Sequence, residues 1–457
     1  MHSRFHSTLS VIVAAGCLHI TAVPAGAQDA HLWTFQYGPR SSLLGGAVIG
    51  SVDDVSGTFY NPGAVAQATD LAFAVSTNVF EYEIVRLEDG GGEGVDLGTA
   101  KSGLRPSLVA GTITRKLFDG DGILAYSALT RSQGGQNLTG VALLSRDDFL
   151  PGSNLDDAVG SVDFNGRYSD LWGGLTYSHA LGDNVGLGVT WYGALRSQNR
   201  QRHAISTKVG TDGSGLTSID NASGKYATFR TLFKFGGFFR AGSITGGASL
   251  TTPSIHVSGS GELAINQSLV GADTTALLAG IQTDLPAEYR SPLSIGGGLA
   301  WRIGPARIHG SLEWFDKVEP YVVIQGDEVR AQEPEDQTLV LDAVHEQAEA
   351  LNWGLGVEYM LSDTFTGYLS YYKDNSTLDQ EIERAALSIL PVDINNVAFG
   401  TEFVVRSARL TLGLGYGWGS AIDQELTDLG REEDDDFVAT YDYRNIKLLF
   451  GFEIGAG

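Results

Sequence analysis

Residues 171–197 read LWGGLTYSHALGDNVGLGVTWYGALRS. Two runs flank the tight-turn residues LGDN, and both alternate with period two. In the second run Val185, Leu187, Val189, Trp191 and Leu195 fall on one face, and Gly186, Gly188, Thr190 and Tyr192 on the other. That is a strand with one apolar face and one small or polar face. The unit recurs in NWGLGVEYMLSDTFTGYLSYY (352–372), where Trp353, Leu355, Val357 and Tyr359 oppose Asn352, Gly354, Gly356 and Glu358. In 396–419, Val397, Phe399, Phe403 and Val405 oppose Ala398, Gly400, Glu402 and Arg406. Beyond the RSAR turn, Leu410, Leu412, Leu414, Tyr416 and Trp418 alternate with Thr411, Gly413, Gly415 and Gly417.

A soluble sandwich and a membrane barrel both need such strands. The sandwich turns its apolar face inward; the barrel turns it out to lipid. Three features favour the barrel. Connections alternate short and long. Aromatic residues gather near strand ends, as at Trp191/Tyr192, Trp314/Phe315, Tyr371/Tyr372 and Tyr416/Trp418. The second face is mostly Gly, Ser and Thr rather than Lys and Glu.

The pattern predicts an all-β chain, a fourteen-stranded antiparallel transmembrane β-barrel. Its strands fall at 70–83, 104–117, 122–134, 167–181, 184–198, 226–239, 243–260, 290–303, 305–324, 350–361, 364–375, 396–406, 408–420 and 441–454. Long loops are expected near 84–103, 135–166, 199–225, 261–289, 325–349, 376–395 and 421–440. An even count puts both barrel ends on the periplasmic side. The last strand alternates Leu448, Phe450, Phe452 and Ile454, but lacks the terminal aromatic common in bacterial outer-membrane barrels.

Composition agrees. The 457 residues include 60 Gly, 17 Tyr, 20 Phe and 7 Trp, and after the N-terminus no apolar run reaches the ~18 residues of a membrane helix. Acids outnumber bases 54 to 30, which excludes a nucleic-acid partner, whose phosphates need a basic face. Part of that acid is the run REEDDDF (431–437), read as a solvated loop in preference to a divalent-cation site.

The first 27 residues read as a secretory signal: Arg4, the apolar LSVIVAAGCLHITAV, and the small-x-small site AGA at 25–27. The mature chain is then expected to begin at Gln28. A lipoprotein box at VAAGC is the rival, disfavoured by Ala14. Cys17 is the only cysteine, so loss of the signal leaves no thiol for disulfides, metals or nucleophilic chemistry.

Residues 28–68 form a separate glycine-rich segment ahead of a barrel spanning 69–457. Within it, SSLLGGAVIGSVDDVSGTFYNPGAVAQ (41–67) follows no strand and contains no G-x-G-x-x-G, so it is not a nucleotide loop. Gly38-Pro39-Arg40, Gly45-Gly46-Ala47, Asp53-Asp54 and Phe59-Tyr60-Asn61-Pro62-Gly63 resemble the opening pattern of the FadL family of outer-membrane transporters for long-chain fatty acids and other hydrophobic compounds. LTTPS (250–254) and LEWFDKVEP (312–320) resemble the family's strand ends. The resemblance spans residues 28–457.

It implies a monomeric barrel whose N-terminal hatch plugs the lumen. A hydrophobic small molecule is captured at external loops, enters a lipophilic pocket and leaves sideways through the wall, without an energy source. Outer-membrane lipid and lipopolysaccharide are the surroundings. Gly45, Gly46, Asp53, Asp54, Asn61, Pro62 and Gly63 are the hatch or gate residues. Gly63 stands where the family has alanine.

A fatty-acid carboxylate in an apolar site needs a cation. Strand parity turns Lys234 inward, with Arg230 sharing its face, while Phe233 and Phe235 face lipid. The competing reading, placed ahead, pairs Lys234 with a lumenal acid such as Glu313, Glu358 or Glu402. Apolar clusters VALLS and DDFLPG in loop 135–166, and LAINQSLVGADTTALLAGI in loop 261–289, suggest a capture groove, the last as a short amphipathic helix. Packing of loop on loop is the alternative. Gly134 and Gly135 of strand three could kink the wall and open it sideways.

The mature histidines are dispersed, with no i, i+4 pair and no G-x-S-x-G, so neither a catalytic site nor a metal or other cofactor is expected. Two rival functions remain: a barrel serving as a non-transport partner platform for secretion or attachment, and an outer-membrane enzyme.

Overall fold

The structure, a computed structural model, describes residues 31–67, 71–89, 96–117, 122–145, 155–210, 214–271, 275–334, 337–378, 392–424 and 438–455. The signal-peptide reading, the DDFLPG cluster and the acidic run 431–437 lie outside the described residues.

The chain is built almost wholly of strands. They begin with β1 (Leu71–Glu88), β2 (Leu97–Leu117), β3 (Gly122–Ser145), β4 (Leu155–Ala180), β5 (Val185–Gly210), β6 (Gly215–Ala241) and β7 (Ile244–Thr251). A hairpin of β8 (Ile255–Gly271) and β9 (Thr275–Pro286) follows, then β10 (Ser294–Ile303) and β11 (Ala306–Phe315). The short strands β12 (Val318–Ile324), β13 (Glu328–Arg330), β14 (Thr338–Val340) and β15 (Ala343–Gln347) pair among themselves. The chain ends with β16 (Ala350–Ser362), β17 (Phe365–Asp374), β18 (Ile394–Val405), β19 (Ala408–Gln424) and β20 (Val438–Gly455).

Fourteen of these close a ring. Each of β1 to β6 pairs antiparallel with the next; β7 then pairs with β10, β10 with β11, β11 with β16, and β16 to β20 follow in order. The ring shuts where β20 pairs with β1 from Leu71↔Gly455 to Glu88↔Thr440. Closure leaves no free edge, a condition for spanning a bilayer in strands.

The faces divide as the alternation requires. Leu187, Trp191, Leu195 and Leu355 are 51%, 51%, 58% and 55% exposed, whereas Thr190 and Tyr192 between them are fully buried. A continuous exposed apolar belt around a closed barrel is the lipid-facing surface of a transmembrane barrel.

The strands differ from the sequence expectation in three places. First, β1 to β6 run on into the expected loops 84–103, 135–166 and 199–225, with β1–β2 pairing continuing to Leu87↔Leu97 and β3–β4 pairing to Ser145↔Asp157. Outward positions here are polar (Asn165, Arg167, Asn199, Gln201), so the wall rises past the apolar belt and the alternation that marks a lipid-facing strand disappears. Second, the expected strand 243–260 stops at Thr251, before Pro253, and β8 instead climbs along the upper half of β6. Third, the expected strand 305–324 stops at Phe315, because its neighbours β10 and β16 end at the same level, at Ser294 and Ala350.

The expected helix in 261–289 is also corrected. This segment is the β8–β9 hairpin, with Leu263, Ile265 and Leu269 buried at period two. Its inner face joins Tyr289, Tyr321, Ile324 and Leu341 in an apolar cluster, so the loops pack on one another.

Residues 31–67 are nearly all buried and touch inward-facing positions around the ring. They carry two short helices, α1 (Pro39–Leu43) and α2 (Gly57–Tyr60), and a 3₁₀ turn at Pro62–Gln67. Wall glycines make room for them. A Cβ on Gly400 or Gly413 would meet Leu43 at 2.7 or 2.3 Å, and one on Gly298 would meet the Gly50 nitrogen at 2.8 Å. Gly45 and Gly46 have φ of +59° and +74°, a conformation only glycine adopts without strain.

Candidate functional site

The N-terminal segment is tied to the wall by polar groups of the DD and NPG motifs. Asn61 Nδ2 donates to the carbonyl oxygens of Ile49 and of Gly237 on β6, both at 2.9 Å, and its Oδ1 accepts from the Gly63 amide at 3.1 Å. Pro62 leads into the 3₁₀ turn. Gly63 lies against the wall: a Cβ there would sit 2.6 Å from the Gly186 carbonyl oxygen and 2.7 Å from that of Gly236. The departure from the family's alanine thus coincides with backbone-to-backbone contact.

Asp53 bridges Arg40 at 3.2 Å and Arg307 on β11 at 3.4 Å. Arg40 also binds Glu358 on β16 at 2.7 Å, and Ser51 Oγ meets His309 Nδ1 at 2.7 Å. Asp54 turns the other way. It accepts from the Ser56 amide at 2.7 Å, and burial beside Asp53 raises its pKa.

Above this segment lies a cavity of about 30 Å³ lined by Phe59, Trp172, Tyr289, Phe315, Leu32 and His31 together with Arg131, Asp170, Lys234 and Glu313. One water needs roughly 10–15 Å³ of such volume, so the cavity has room for two or three small solvent molecules and no alkyl chain. Lys234 points inward as strand parity requires, beside the Phe59 ring at 4.7 Å and 3.6 Å from Glu313. Glu313 also accepts from Trp33 Nε1 at 2.9 Å and Ser294 Oγ at 2.8 Å. Arg230 is fully buried and ion-paired with Asp170. Both cations named from the sequence are therefore engaged by wall acids.

Arg131 and Asp170 escaped the sequence reading. Arg131 stacks 5.6 Å over both Phe59 and Trp172 and donates to the Leu32 carbonyl at 2.5 Å. Strand parity could have flagged both as inward, Asp170 in step with Trp172 and Arg131 in step with Ser127 and Leu129.

The wall is interrupted beside this cavity. β2 and β3 pair from Leu117↔Gly122 to Leu108↔Leu129 and again at Gly98↔Thr139. Residues 99–107 and 130–138 between those points form no pair with each other. Gly134 and Gly135 lie on β3 inside this gap. Their pairing with Tyr168 and Arg167 of β4 is intact, so it is the β2 side that opens. Arg131 and Ser132 belong both to the gap and to the cavity lining. Two side chains cross the gap: Lys101 Nζ donates to the Gly135 carbonyl, and Arg105 Nη1 to that of Gln133 at 3.1 Å. Their charges are met from β1, Lys101 by Glu83 at 2.7 Å and Arg105 by Glu81 at 3.1 Å.

Together these features define a closed transmembrane β-barrel with an outward apolar belt, an N-terminal segment inside the ring, a small aromatic cavity and a lapse in β2–β3 pairing. No family model matches the sequence, and neither does any curated protein. Solved structures do. The Pseudomonas putida toluene transporter TodX is similar at TM-score 0.59 and 13% identity, covering 92% of this chain and 99% of that one. The Ralstonia pickettii toluene transporter TbuX gives 0.53 and 10%, covering 92% and 98%. A Pseudomonas aeruginosa FadL homologue gives 0.52 and 12%, covering 93% and 99%. At these identities the likeness establishes the fold, which is that of the FadL-type barrels.

Proposed function

We propose that the protein sits in the outer membrane and carries hydrophobic molecules, such as long-chain fatty acids, passively inward. The solute is taken up among the external loops and leaves sideways through the β2–β3 gap beside the aromatic cavity, which must widen from its present 30 Å³ before an alkyl chain can pass. The observation that carries this is the sharing of Arg131 and Ser132 between cavity lining and gap. The axial way is occupied by residues 31–67, whereas the lateral way needs only Lys101 and Arg105 to swing aside.

The physics suits apolar cargo. The polar outer leaflet holds such solutes back, and an aqueous pore would not help them. A lateral exit delivers them to the hydrocarbon core, where burial is favourable by about 25 cal/mol per Å² of apolar surface. No energy source is needed down a gradient. The toluene transporters of the same fold support an apolar substrate, and they support transport over catalysis.

The test is uptake of labelled long-chain fatty acid and of labelled toluene by cells with and without the protein. Faster entry of at least one is expected. Equal rates for every hydrophobic compound tried would overturn the proposal.

A further inference from the structure

The outer face of the wall holds a recess of about 500 Å³ across β3, β4, β5, β6 and β8, on the side away from the short turns. Three rows in register build it. The lowest is the top of the apolar belt: Leu171 pairs with Leu195, and Leu195 with Phe229, all exposed. The next row is small: Ser169, Ser197, Ala227 and Ser260 lie side by side, with Gln133 at its end. The row above is long and polar: Arg167, Asn199, Lys225 and Glu262. Short side chains between two rows of long ones leave the hollow. Elsewhere on the ring, β16 to β19 mark the interface with outward Trp353, Tyr371 and Trp418, ring to ring at 5.4 and 6.5 Å. Neither polar row of the recess carries an outward aromatic; the girdle gives way to a hollow.

Each feature narrows the occupant. The recess lies directly above the lipid-facing belt, so its occupant has apolar chains below and a polar head above. Arg167 is exposed and has no hydrogen-bond or ion-pair partner among the described residues, and a guanidinium binds phosphate through two parallel N–H donors. Lys225 is paired with Glu262 at 2.8 Å, but both are about half exposed, and such a pair holds Lys225 only weakly. Glu262 and Asp284 balance the two bases, which disfavours a bare polyanion. The hydroxyls and amides of Gln133, Ser197, Asn199 and Ser260 match a head rich in hydroxyl groups. We propose that this recess seats the phosphorylated sugar head of an outer-leaflet glycolipid of the lipopolysaccharide class, with its phosphate on Arg167 and its acyl chains along Leu171, Leu195 and Phe229.

The site stands apart from the transport reading, and its test needs no uptake. The probes are lipid A, its dephosphorylated form and phosphatidylglycerol, titrated against the full-length protein in detergent micelles and read by native mass spectrometry. Lipid A is expected to bind most tightly. Arg167→Gln should weaken lipid A about tenfold, the share of a charge-assisted hydrogen bond, and leave the dephosphorylated form unchanged. Ser197→Trp, which fills the floor of the recess, should abolish binding of both forms. Retained barrel heat-modifiability shows that each variant is folded. Phosphatidylglycerol binding as tightly as lipid A, or lipid A binding untouched by both variants, overturns the site. Weakening of both lipid A forms alike by Arg167→Gln would overturn the assignment of the phosphate to Arg167.

Discussion

The side-chain amide of Asn61 donates to the carbonyl oxygen of Gly237, on the barrel wall 176 residues away, at 2.9 Å. The same nitrogen serves the Ile49 carbonyl, so one residue closes the N-terminal segment on itself and on β6. Asn61→Leu leaves two carbonyls and the Gly63 amide unserved. It should destabilise the seated segment by about 3 kcal/mol or more, given roughly 1–3 kcal/mol for each of the three buried groups left unpaired. Entry of a small hydrophilic dye, which a seated plug blocks, should rise; unchanged dye entry and unchanged thermal unfolding would refute the role.

Gly63→Ala restores the residue of the family pattern yet is expected to harm this protein. The new methyl would press on the backbone oxygens of Gly186 and Gly236 at 2.6 and 2.7 Å, and neither can rotate away. Overpacking of this kind costs about 1–3 kcal/mol. A lower unfolding temperature checks it, with Ala64→Gly as the comparison for simple loss of a methyl.

Lys234 and Glu313 form a buried pair. Removing one partner strands a charge, so Lys234→Met and Glu313→Gln should each cost about 3–5 kcal/mol, while the double variant recovers most of it. Additive losses in a denaturant series would show that the two do not act as a pair. If Lys234 instead received a ligand carboxylate, Lys234→Met would lower fatty-acid uptake more than toluene uptake; the engaged pair predicts equal effects.

Across the wall gap, Arg105 and Lys101 are the only side-chain donors among the described contacts that bond the far carbonyls of Gln133 and Gly135. Replacing Arg105 with Met and Glu81 with Gln together avoids an orphaned carboxylate. Backbone amides of 99–107 should then exchange faster with deuterium, and uptake of hydrophobic solute should rise while hydrophilic dye stays out. Slower uptake would argue against the lateral route.

His345 sits buried in the external cap, 5.4 and 5.7 Å from the rings of Tyr289 and Tyr321. Burial, with Arg196 and Arg200 nearby, pushes its pKa down to about 3. The unfolded chain takes up the proton near the ordinary value of about 6.5, the folded cap only far lower. The unfolded state therefore binds more protons in between, and cap stability present above that value is lost as pH falls toward 3. Protection of residues 318–347 against deuterium exchange, taken relative to the free-peptide rate at each pH, should fall between about pH 6 and pH 4, and His345→Phe should remove that fall.

Much of the barrel was legible because lipid and lumen demand opposite chemistry at alternating positions. Trp191 and Tyr192 are adjacent in sequence, one 51% exposed and the other fully buried, and their alternation with glycine and threonine announced it. The signal faded where the wall left the bilayer, since Asn165 and Asn199 face water and carry no apolar contrast. It failed again at β8–β9, where a period-two pattern was mistaken for a helix because the strand's partner, the upper half of β6, lay in an expected loop.

The site divides on the same physical line. Local pattern determined the strand count, the inward direction of Lys234 and the turn at Asn61-Pro62-Gly63, because each depends on a residue and its near neighbours. Tertiary structure alone decided which of the candidate acids engages Lys234, that Asp170 engages Arg230, and that Gly63 must be glycine against Gly186 and Gly236. It alone showed that the pairing beside Gly134 and Gly135 lapses on the β2 side and holds on the β4 side. Those outcomes depend on which distant strands close the ring beside one another, and short-range alternation carries no information about that.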